Sequence, residues 1–286
     1  GGTIKLDGNY PVGTNNVALG DTALAALTSG SRNVAVGTNA ADALTTGVRN
    51  VAIGFDALTT AVDDDQNTAV GAYALNTTEA DNNSGLGYLA LYANTTGASN
   101  VAVGSSALQN NTTASNNTAV GYVAGYSTTT GALNTFVGRE AAYSNTTGQH
   151  NVAIGQSANY ANTTGNYNVS LGSQALRFNT TSSDNVAVGY QTLYSMSSTG
   201  DANKSTAVGY QAGYNSTHNV DAFGSQALYS NTTGVLSVAI GREALYSNTT
   251  ANYNTAVGYQ AGYSNTTGSE NSYFGRFSGK GVTTGT

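Results

Sequence analysis

The residues whose types could support catalysis are few and widely spaced along the chain. There are two histidines, His150 and His218, and no cysteine, which excludes a thiolate nucleophile and a thiolate metal site. Neither a G-x-S-x-G turn nor a phosphate-binding G-x-x-x-x-G-K-[ST] loop occurs. Both histidines fall in variable stretches, so we interpret them as surface turn residues. We predict that the chain is not an enzyme and binds no cofactor.

The charged residues could offer a different chemistry, metal binding through oxygen ligands. The densest acidic run is Asp63, Asp64 and Asp65. It could hold Ca²⁺, or it could be a solvated turn, since no similar run occurs near it. Two Arg-Glu pairs, Arg139 with Glu140 and Arg242 with Glu243, lie too far apart in the repeat described below to form a carboxylate dyad, and we interpret both as solvated ion pairs.

The composition excludes two classes of partner. Charged residues make up 8% of the chain, against about 25% in a typical globular protein. Nine basic residues in 286, with a formal net charge of -6, cannot form the basic stripe that nucleic-acid backbones require. No apolar run approaches ~18 residues, so we predict no membrane-spanning helix.

A glycine recurs after a short apolar segment, and twelve of its fifteen spacings are 17 residues. The repeat reads N-[VT]-A-[VIL]-G-x-x-A-L-Y-x-N-T-T-G-x-x. Its glycines are Gly20, Gly37, Gly54, Gly71, Gly87, Gly104, Gly121, Gly138, Gly155, Gly172, Gly189, Gly209, Gly224, Gly241, Gly258 and Gly275. Helical repeats need ~33 or more residues per unit and leucine-rich repeats 20 or more, so this period indicates one coil of a β-solenoid.

We therefore predict an all-β fold, a parallel β-solenoid (β-roll) of sixteen ~17-residue coils that covers residues 15–286. At ~4.8 Å per coil, sixteen coils would make a rod of roughly 75 Å. Residues 1–14 depart from the repeat, and they are predicted to form an N-terminal cap or a strand that joins subunits.

One repeat, N-V-A-I-G, shows how each strand is expected to sit. Alternation places Val152 and Ile154 on one face and Ala153 on the other. Because the residue before the glycine is always large and apolar, we expect it to face the core, with alanine on the opposite face. The glycine should turn the chain, since it accepts positive φ freely. A second short strand, as at residues 227–229, is expected to follow.

Stacked coils place like residues above like, which predicts columns of side chains. An asparagine at the strand start can form an amide ladder along the axis, and it recurs at Asn100, Asn117, Asn134, Asn151, Asn168 and Asn185. Tyrosines five residues after the glycine are expected to stack with their hydroxyls free, at Tyr92, Tyr126, Tyr143, Tyr160, Tyr194, Tyr214, Tyr229, Tyr246 and Tyr263.

The Asn-Thr-Thr tract is the one surface feature repeated enough to be functional. Each copy is formally an N-x-[ST] acceptor. The candidates for glycosylation or surface contact are Asn76, Asn94, Asn111, Asn145, Asn162, Asn179, Asn231, Asn248 and Asn265. Two other interpretations stay open: simple turn chemistry, or aligned threonines that bind ice.

The N-V-A-V-G segment at 100–104 and the N-V-A-I-G segment at 151–155 resemble the head repeats of trimeric autotransporter adhesins, whose S-V-A-I-G-x-x-A core repeats in a parallel left-handed β-roll. The longer form at 254–268 is similar to repeats in phage-type tail-fibre proteins. The resemblance covers about residues 15–275 and implies an elongated, usually trimeric protein. The 17-residue unit is longer than the usual adhesin head repeat.

These observations predict a structural protein that forms an extracellular fibre, filament or adhesin shaft at a cell or virion surface. Its expected partner is itself, as an end-to-end polymer or a trimer. The alternative is a surface-binding module whose Tyr, Asn and Thr face contacts glycans or a host surface, and an ice-binding solenoid ranks below that.

Overall fold

The computed structural model describes residues 13–197 and 204–285. Within these ranges every regular element is a β-strand, no helix occurs, and the strands pair in parallel. The strands follow one another about 17 residues apart, which confirms the predicted parallel β-solenoid, here of about 15 turns. Most of the predicted N-terminal cap or joining strand, residues 1–12, lies outside the described residues.

The chain divides into two compact units, Gly1–Arg139 and Glu140–Thr286. The strands of unit 1 are β1 Val17–Leu19, β2 Val34–Val36, β3 Val51–Ile53, β4 Thr68–Val70, β5 Ser84–Leu86, β6 Val101–Val103, β7 Thr118–Val120 and β8 Thr135–Val137. Those of unit 2 are β9 Val152–Ile154, β10 Val169–Leu171, β11 Val186–Val188, β12 Thr206–Val208, β13 Val220–Phe223, β14 Ser237–Ile240, β15 Thr255–Val257 and β16 Ser272–Phe274. Within each unit a strand pairs with the next in sequence, as Val103 of β6 pairs with Val120 of β7.

The glycine that ends each strand has a backbone conformation that other residues rarely adopt. Gly104 has a φ of 129° and Gly155 a φ of 133°, outside the regions open to L residues. A Cβ atom on Gly104 would also lie 2.5 Å from the carbonyl oxygen of Gly121 in the next coil. The predicted turning role is confirmed, and the glycines also let successive coils approach closely.

The segment after the glycine is not the second strand that the sequence predicted. Residues 105–110 form consecutive turns in which alternate residues are left-handed, with φ of 57° at Ser106 and 48° at Leu108. This backbone costs an L residue roughly 1–2 kcal/mol. It is held in place because Leu108 is fully buried and its N–H donates to the Ala124 carbonyl of the next coil.

The strand faces are the reverse of the prediction. Ala153 is fully buried, whereas Ile154 is 41% exposed and faces outward. The interior is too narrow for a large side chain at mid-strand: a Cβ atom on Gly85, in the middle of β5, would lie 3.1 Å from the carbonyl oxygen of Ala90. The middle position therefore takes alanine, and the large flanking residues lie on the outer face.

The core is built from two alanine columns and one leucine column, represented in one coil by Ala102, Ala107 and Leu108. Where a strand carries a large middle residue, the leucine of the preceding coil is replaced by glycine. Phe136 is fully buried, and a Cβ atom on Gly125 would lie 2.7 Å from its ring. The large side chain thus moves from the leucine position to the middle of the next strand, which keeps the core filled without overpacking.

Candidate functional site

The asparagines at the strand starts form the predicted ladder, with the backbone taking part. Asn33 Oδ1 accepts the backbone N–H of Asn50 at 2.8 Å, and Asn50 Nδ2 donates to the carbonyl of Asp64 at 2.7 Å. The bond from each asparagine Oδ1 to the next backbone N–H continues in unit 1 as far as Asn134. In unit 2, Ser205, Val220 and Ser237 take the place of asparagine in this column. These buried amides stabilise the stack and are not open to a ligand.

The asparagines of the Asn-Thr-Thr tracts are interior residues, which corrects their assignment to the surface. Eight of the nine candidates are fully buried: Asn94, Asn111, Asn145, Asn162, Asn179, Asn231, Asn248 and Asn265. Asn111 Nδ2 donates to Asn94 Oδ1 at 2.7 Å and to the Ala114 carbonyl at 3.0 Å. An N-linked glycan needs this nitrogen at the surface, so the folded coils cannot carry one at these eight positions. The ninth, Asn76, lies in the tyrosine column and is half-buried, with Nδ2 donating to the Thr59 hydroxyl.

The threonines of these tracts lie in bends. The hydroxyl of Thr95 donates to the carbonyl of Thr112 at 2.9 Å, and the first threonine of other tracts repeats this bond to the next coil. The second threonine, such as Thr113, is exposed. Because the first hydroxyl is engaged and neither residue lies on a strand, the tracts do not offer the flat two-column lattice that the ice-binding hypothesis needs.

The predicted tyrosine column is confirmed where tyrosines occupy consecutive coils. Five rings of unit 2 stack at 4.9–5.2 Å and within 13° of parallel: Tyr194, Tyr214, Tyr229, Tyr246 and Tyr263. Tyr143 stacks on Tyr160 at 5.3 Å. In unit 1, Tyr126 is half-buried and Tyr92 contacts Tyr73 edge-on. Burial, helped by the neighbouring tyrosines, raises the pKa of both Tyr214 and Tyr246.

A second ladder beside the tyrosines was not predicted. Glutamines stand two residues after the glycine in consecutive coils of unit 2. Gln191 Nε2 donates to Gln174 Oε1 at 2.7 Å, Gln211 to Gln191 at 2.9 Å, and Gln226 to Gln211 at 3.3 Å. The recurrence of glutamine at this position is visible in the sequence. The assumption of a strand here obscured it, because strand alternation does not place these residues beside the tyrosines.

The three aspartates of the acidic run do not converge on one point. Asp63 is exposed, Asp64 is only 7% exposed, and the Asp65 carboxylate accepts the backbone N–H of Val48 at 2.7 Å. Burial, with repulsion from Asp81 and Asp63, raises the pKa of Asp64 to about 6. No group of three His, Asp or Glu side chains in the described ranges is arranged to hold a metal ion, so the calcium hypothesis gains no support.

The two histidines lie apart from any catalytic partner. The ring of His150 stacks on that of Tyr167 with centroids 4.8 Å apart. Nδ1 of His218 lies 2.8 Å from the hydroxyl of its neighbour Thr217. Neither imidazole hydrogen-bonds to a carboxylate within the part of the chain that the structure describes, so neither has the orienting partner that a general base uses.

The glutamates of the Arg-Glu pairs stand in the column of side chains that contains the glutamines, two residues after the glycine. Arg242 Nε lies 2.9 Å from Glu243 Oε1, and the arginine is largely exposed. A hydrogen bond from Gln260, together with Arg242, lowers the pKa of Glu243. In the equivalent coil position, Glu140 accepts a hydrogen bond from the Ser157 hydroxyl at 3.0 Å. These contacts form a network of polar side chains at the surface. The ion-pair interpretation is confirmed for Arg242 and Glu243.

The outward face of the strands is the largest unpredicted feature. The two residues that flank the inward-facing residue of each strand, as Val152 and Ile154 flank Ala153, form two columns on each unit. Many of the apolar members of these columns are exposed: Val17, Ile53, Leu86, Val101, Ile154, Val208, Phe223, Ile240 and Phe274. We call these two columns the strand stripe. Asp221 is the one charged residue in it among the described strands. Exposed apolar side chains that recur along one face mark a candidate contact surface.

The fold and these surfaces define a parallel β-solenoid repeat protein. Among the described residues, no helix is long and apolar enough to cross a membrane. Comparison with protein-family models, with curated proteins and with solved structures finds no match. The resemblance to adhesin and tail-fibre repeats therefore stays a prediction.

Proposed function

We propose that this chain is a structural element of an extracellular fibre, filament or adhesin shaft, in which copies associate side by side through their strand stripes. The observation that carries the proposal is the repeated exposure of large apolar residues, such as Ile154 and Ile240, on the outward face of the strands. Burying apolar area yields roughly 25 cal/mol per Å², so a stripe repeated over many coils supplies a strong driving force for association.

The construction of the coil supports a structural role. Successive coils are joined by strand pairing, and many of them also by buried asparagines in two columns and by threonine hydroxyls. Identical coils stacked in this way add stability with each neighbour, as expected of a repeat array. The side chains that could do chemistry lie singly at the surface, whereas the repeated groups serve the stack itself.

A second copy of the chain is the partner that fits the stripe best. Both columns recur at the coil spacing in every copy, so the ridges of one stripe can interlock with those of another, and sheets pack face to face about 10 Å apart. With Asp221 its single charge, the stripe can be buried with little desolvation of ionised groups. Closed rings of two or three copies would remove it from water, and the resemblance favours three.

Sedimentation velocity of the purified chain across a wide range of concentrations tests this proposal. We expect a dimer or trimer that becomes monomeric in the double variant Val188→Asp with Ile240→Asp, because each carboxylate would be buried unpaired in the contact. The matched control places aspartate at Thr181 and Thr250, which are exposed bend residues of the same unit. A wild-type chain that stays monomeric throughout, or equal responses from the two double variants, would overturn the proposal.

A further inference from the structure

Unit 2 presents an uncharged polar surface that the structural role does not use. The glutamine ladder and the tyrosine stack run side by side along consecutive coils. We call this surface the Gln-Tyr face, and its residues are Gln174, Gln191, Gln211, Gln226, Tyr194, Tyr214 and Tyr229. The two columns lie along the same turn segment, with the glutamine two residues and the tyrosine five residues after the glycine of each coil.

The Gln-Tyr face has unused hydrogen-bonding capacity at every coil. A glutamine side chain has two N–H donors, and Gln191 and Gln211 each use one of them within the ladder. The hydroxyls of Tyr194 and Tyr214 have no hydrogen-bond partner within the described residues. Because the rings are stacked face to face, their edges and hydroxyls are what a ligand would meet.

The face is also neutral. Arg177 holds the tyrosine position in the coil of Gln174, and Glu243 holds the glutamine position in the coil of Tyr246. In the three coils between them, the described glutamine and tyrosine positions carry no charged residue. An adjoining column adds exposed phenols, since Tyr190 stacks on Tyr210 at 5.7 Å and both are exposed. Amides, phenols and hydroxyls without charge suit a ligand that is itself rich in hydroxyls and uncharged.

We propose that the Gln-Tyr face binds a linear, neutral β-1,4-linked polysaccharide that lies along the stack. Successive rings of Tyr194, Tyr214 and Tyr229 are 4.9 and 5.2 Å apart. An extended β-1,4-linked chain advances by nearly the same distance per sugar, so each coil can offer one amide N–H and one phenol to one sugar. Weak contacts repeated along one polymer add up through their high effective concentration.

This binding function goes beyond the structural role and does not depend on it. The Gln-Tyr face occupies the turn segment of each coil, whereas the strand stripe occupies the strand. Side-by-side association through the stripe would leave the Gln-Tyr face open. Several copies in one assembly would then present several such faces to an insoluble polysaccharide.

Co-sedimentation of the chain with microcrystalline cellulose and, separately, with chitin tests the proposal. The informative variant replaces Tyr194, Tyr214 and Tyr229 by phenylalanine, which keeps the ring stack and removes the hydroxyls. We expect its apparent affinity to fall roughly tenfold or more, since three hydrogen bonds are lost. The matched control is Tyr167→Phe with Tyr253→Phe, which removes exposed hydroxyls from a different column of the same unit.

Binding to cellulose alone would assign the site to plain glucans. Binding to chitin as well would show that the site accepts acetamido groups. Either result supports the proposal if the triple variant loses affinity. If the wild-type chain binds neither polymer, or if the triple variant binds as well as the wild type, the proposal is overturned. The sedimentation velocity of the triple variant should match that of the wild type, which separates this test from self-association.

Discussion

Asn111 and Asn94 are joined side chain to side chain by a hydrogen bond of 2.7 Å across one coil, and neither is exposed to solvent. A second bond from Asn111 Nδ2 reaches the carbonyl of Ala114. Asn111 thus satisfies the side-chain oxygen of Asn94 in the preceding coil, and the loss of Asn111 would leave that buried acceptor without its donor. A chain with few charges can be held in register by such bonds, because they are specific in both direction and spacing.

Replacing Asn111 by alanine should lower the free energy of unfolding by roughly 1–3 kcal/mol, since Asn94 Oδ1 loses its donor in a dry interior, whereas the Ala114 carbonyl keeps the bond from Asn100 Nδ2. Denaturant unfolding followed by circular dichroism measures the change. Thr113→Ala, two residues further along and exposed, should stay within about 0.5 kcal/mol of the wild type. Equal effects of the two substitutions would show that the ladder does not stabilise the coil.

The exchange between Gly125 and Phe136 should appear as a strong coupling between the two positions. Phe136→Ala should cost roughly 3–5 kcal/mol by leaving a cavity, and Gly125→Leu should destabilise the wild type because its Cβ would press on the ring. Together they restore the combination of the preceding coil, Leu108 with Ala119. A double-mutant cycle should therefore show the double variant more stable than either single one. Losses that simply add would contradict this account of the core.

The carboxyl of Asp64 should make unit 1 less stable as the pH rises. Burial, with Asp81 and Asp63, raises its pKa from 3.8 to about 6, so the folded state binds the proton more tightly than the unfolded state. The contribution to stability is therefore fully present below about pH 4 and is lost as the pH rises through 6. Asp64→Ala should remove about 1–2 kcal/mol of this decline, after allowance for solvent screening.

Denaturant unfolding of the wild type and of Asp64→Ala at pH values on either side of this window measures the effect. Alanine is compatible with the site, because Ala114 occupies the equivalent position in another coil. Asp21→Ala, which removes an exposed carboxylate from the same unit, should leave the decline in place. If Asp64→Ala lost as much stability as the wild type between the two pH values, the assignment to this carboxyl would fail.

Two adjacent residues can test the direction of the strand faces. Ala153→Val should destabilise the chain by roughly 1–3 kcal/mol, because the fully buried site has no room for added methyl groups. Ile154→Thr should change the unfolding free energy of the monomer by much less, while weakening association through the strand stripe. Denaturant unfolding at a concentration where the chain is monomeric measures the change in unfolding free energy for each of the two substitutions. A larger loss for Ile154→Thr than for Ala153→Val would restore the face assignment that the sequence suggested.

The repeat period was enough to predict the fold class, since no helical unit fits in 17 residues. Stacking in register then predicted the tyrosine column and the asparagine ladder. The strand faces could not be predicted, because the alternation in Val-Ala-Ile fits a strand with alanine inside as well as one with alanine outside. Hydrophobicity favours Ile154 inside, but the close approach of the turn segment admits only Ala153. The tract asparagines were misplaced for a similar reason: Asn-Thr-Thr-Gly is typical of an exposed turn, yet in this coil Asn111 points inward.

Electron microscopy of the purified chain tests most directly the claim that it is a building element that assembles with copies of itself. We expect particles in which two or more chains lie side by side with their strand stripes facing one another. The Val188→Asp, Ile240→Asp variant should give single chains at the same concentration. Wild-type particles that remain single chains at every concentration, with the strand stripes open to solvent, would contradict it.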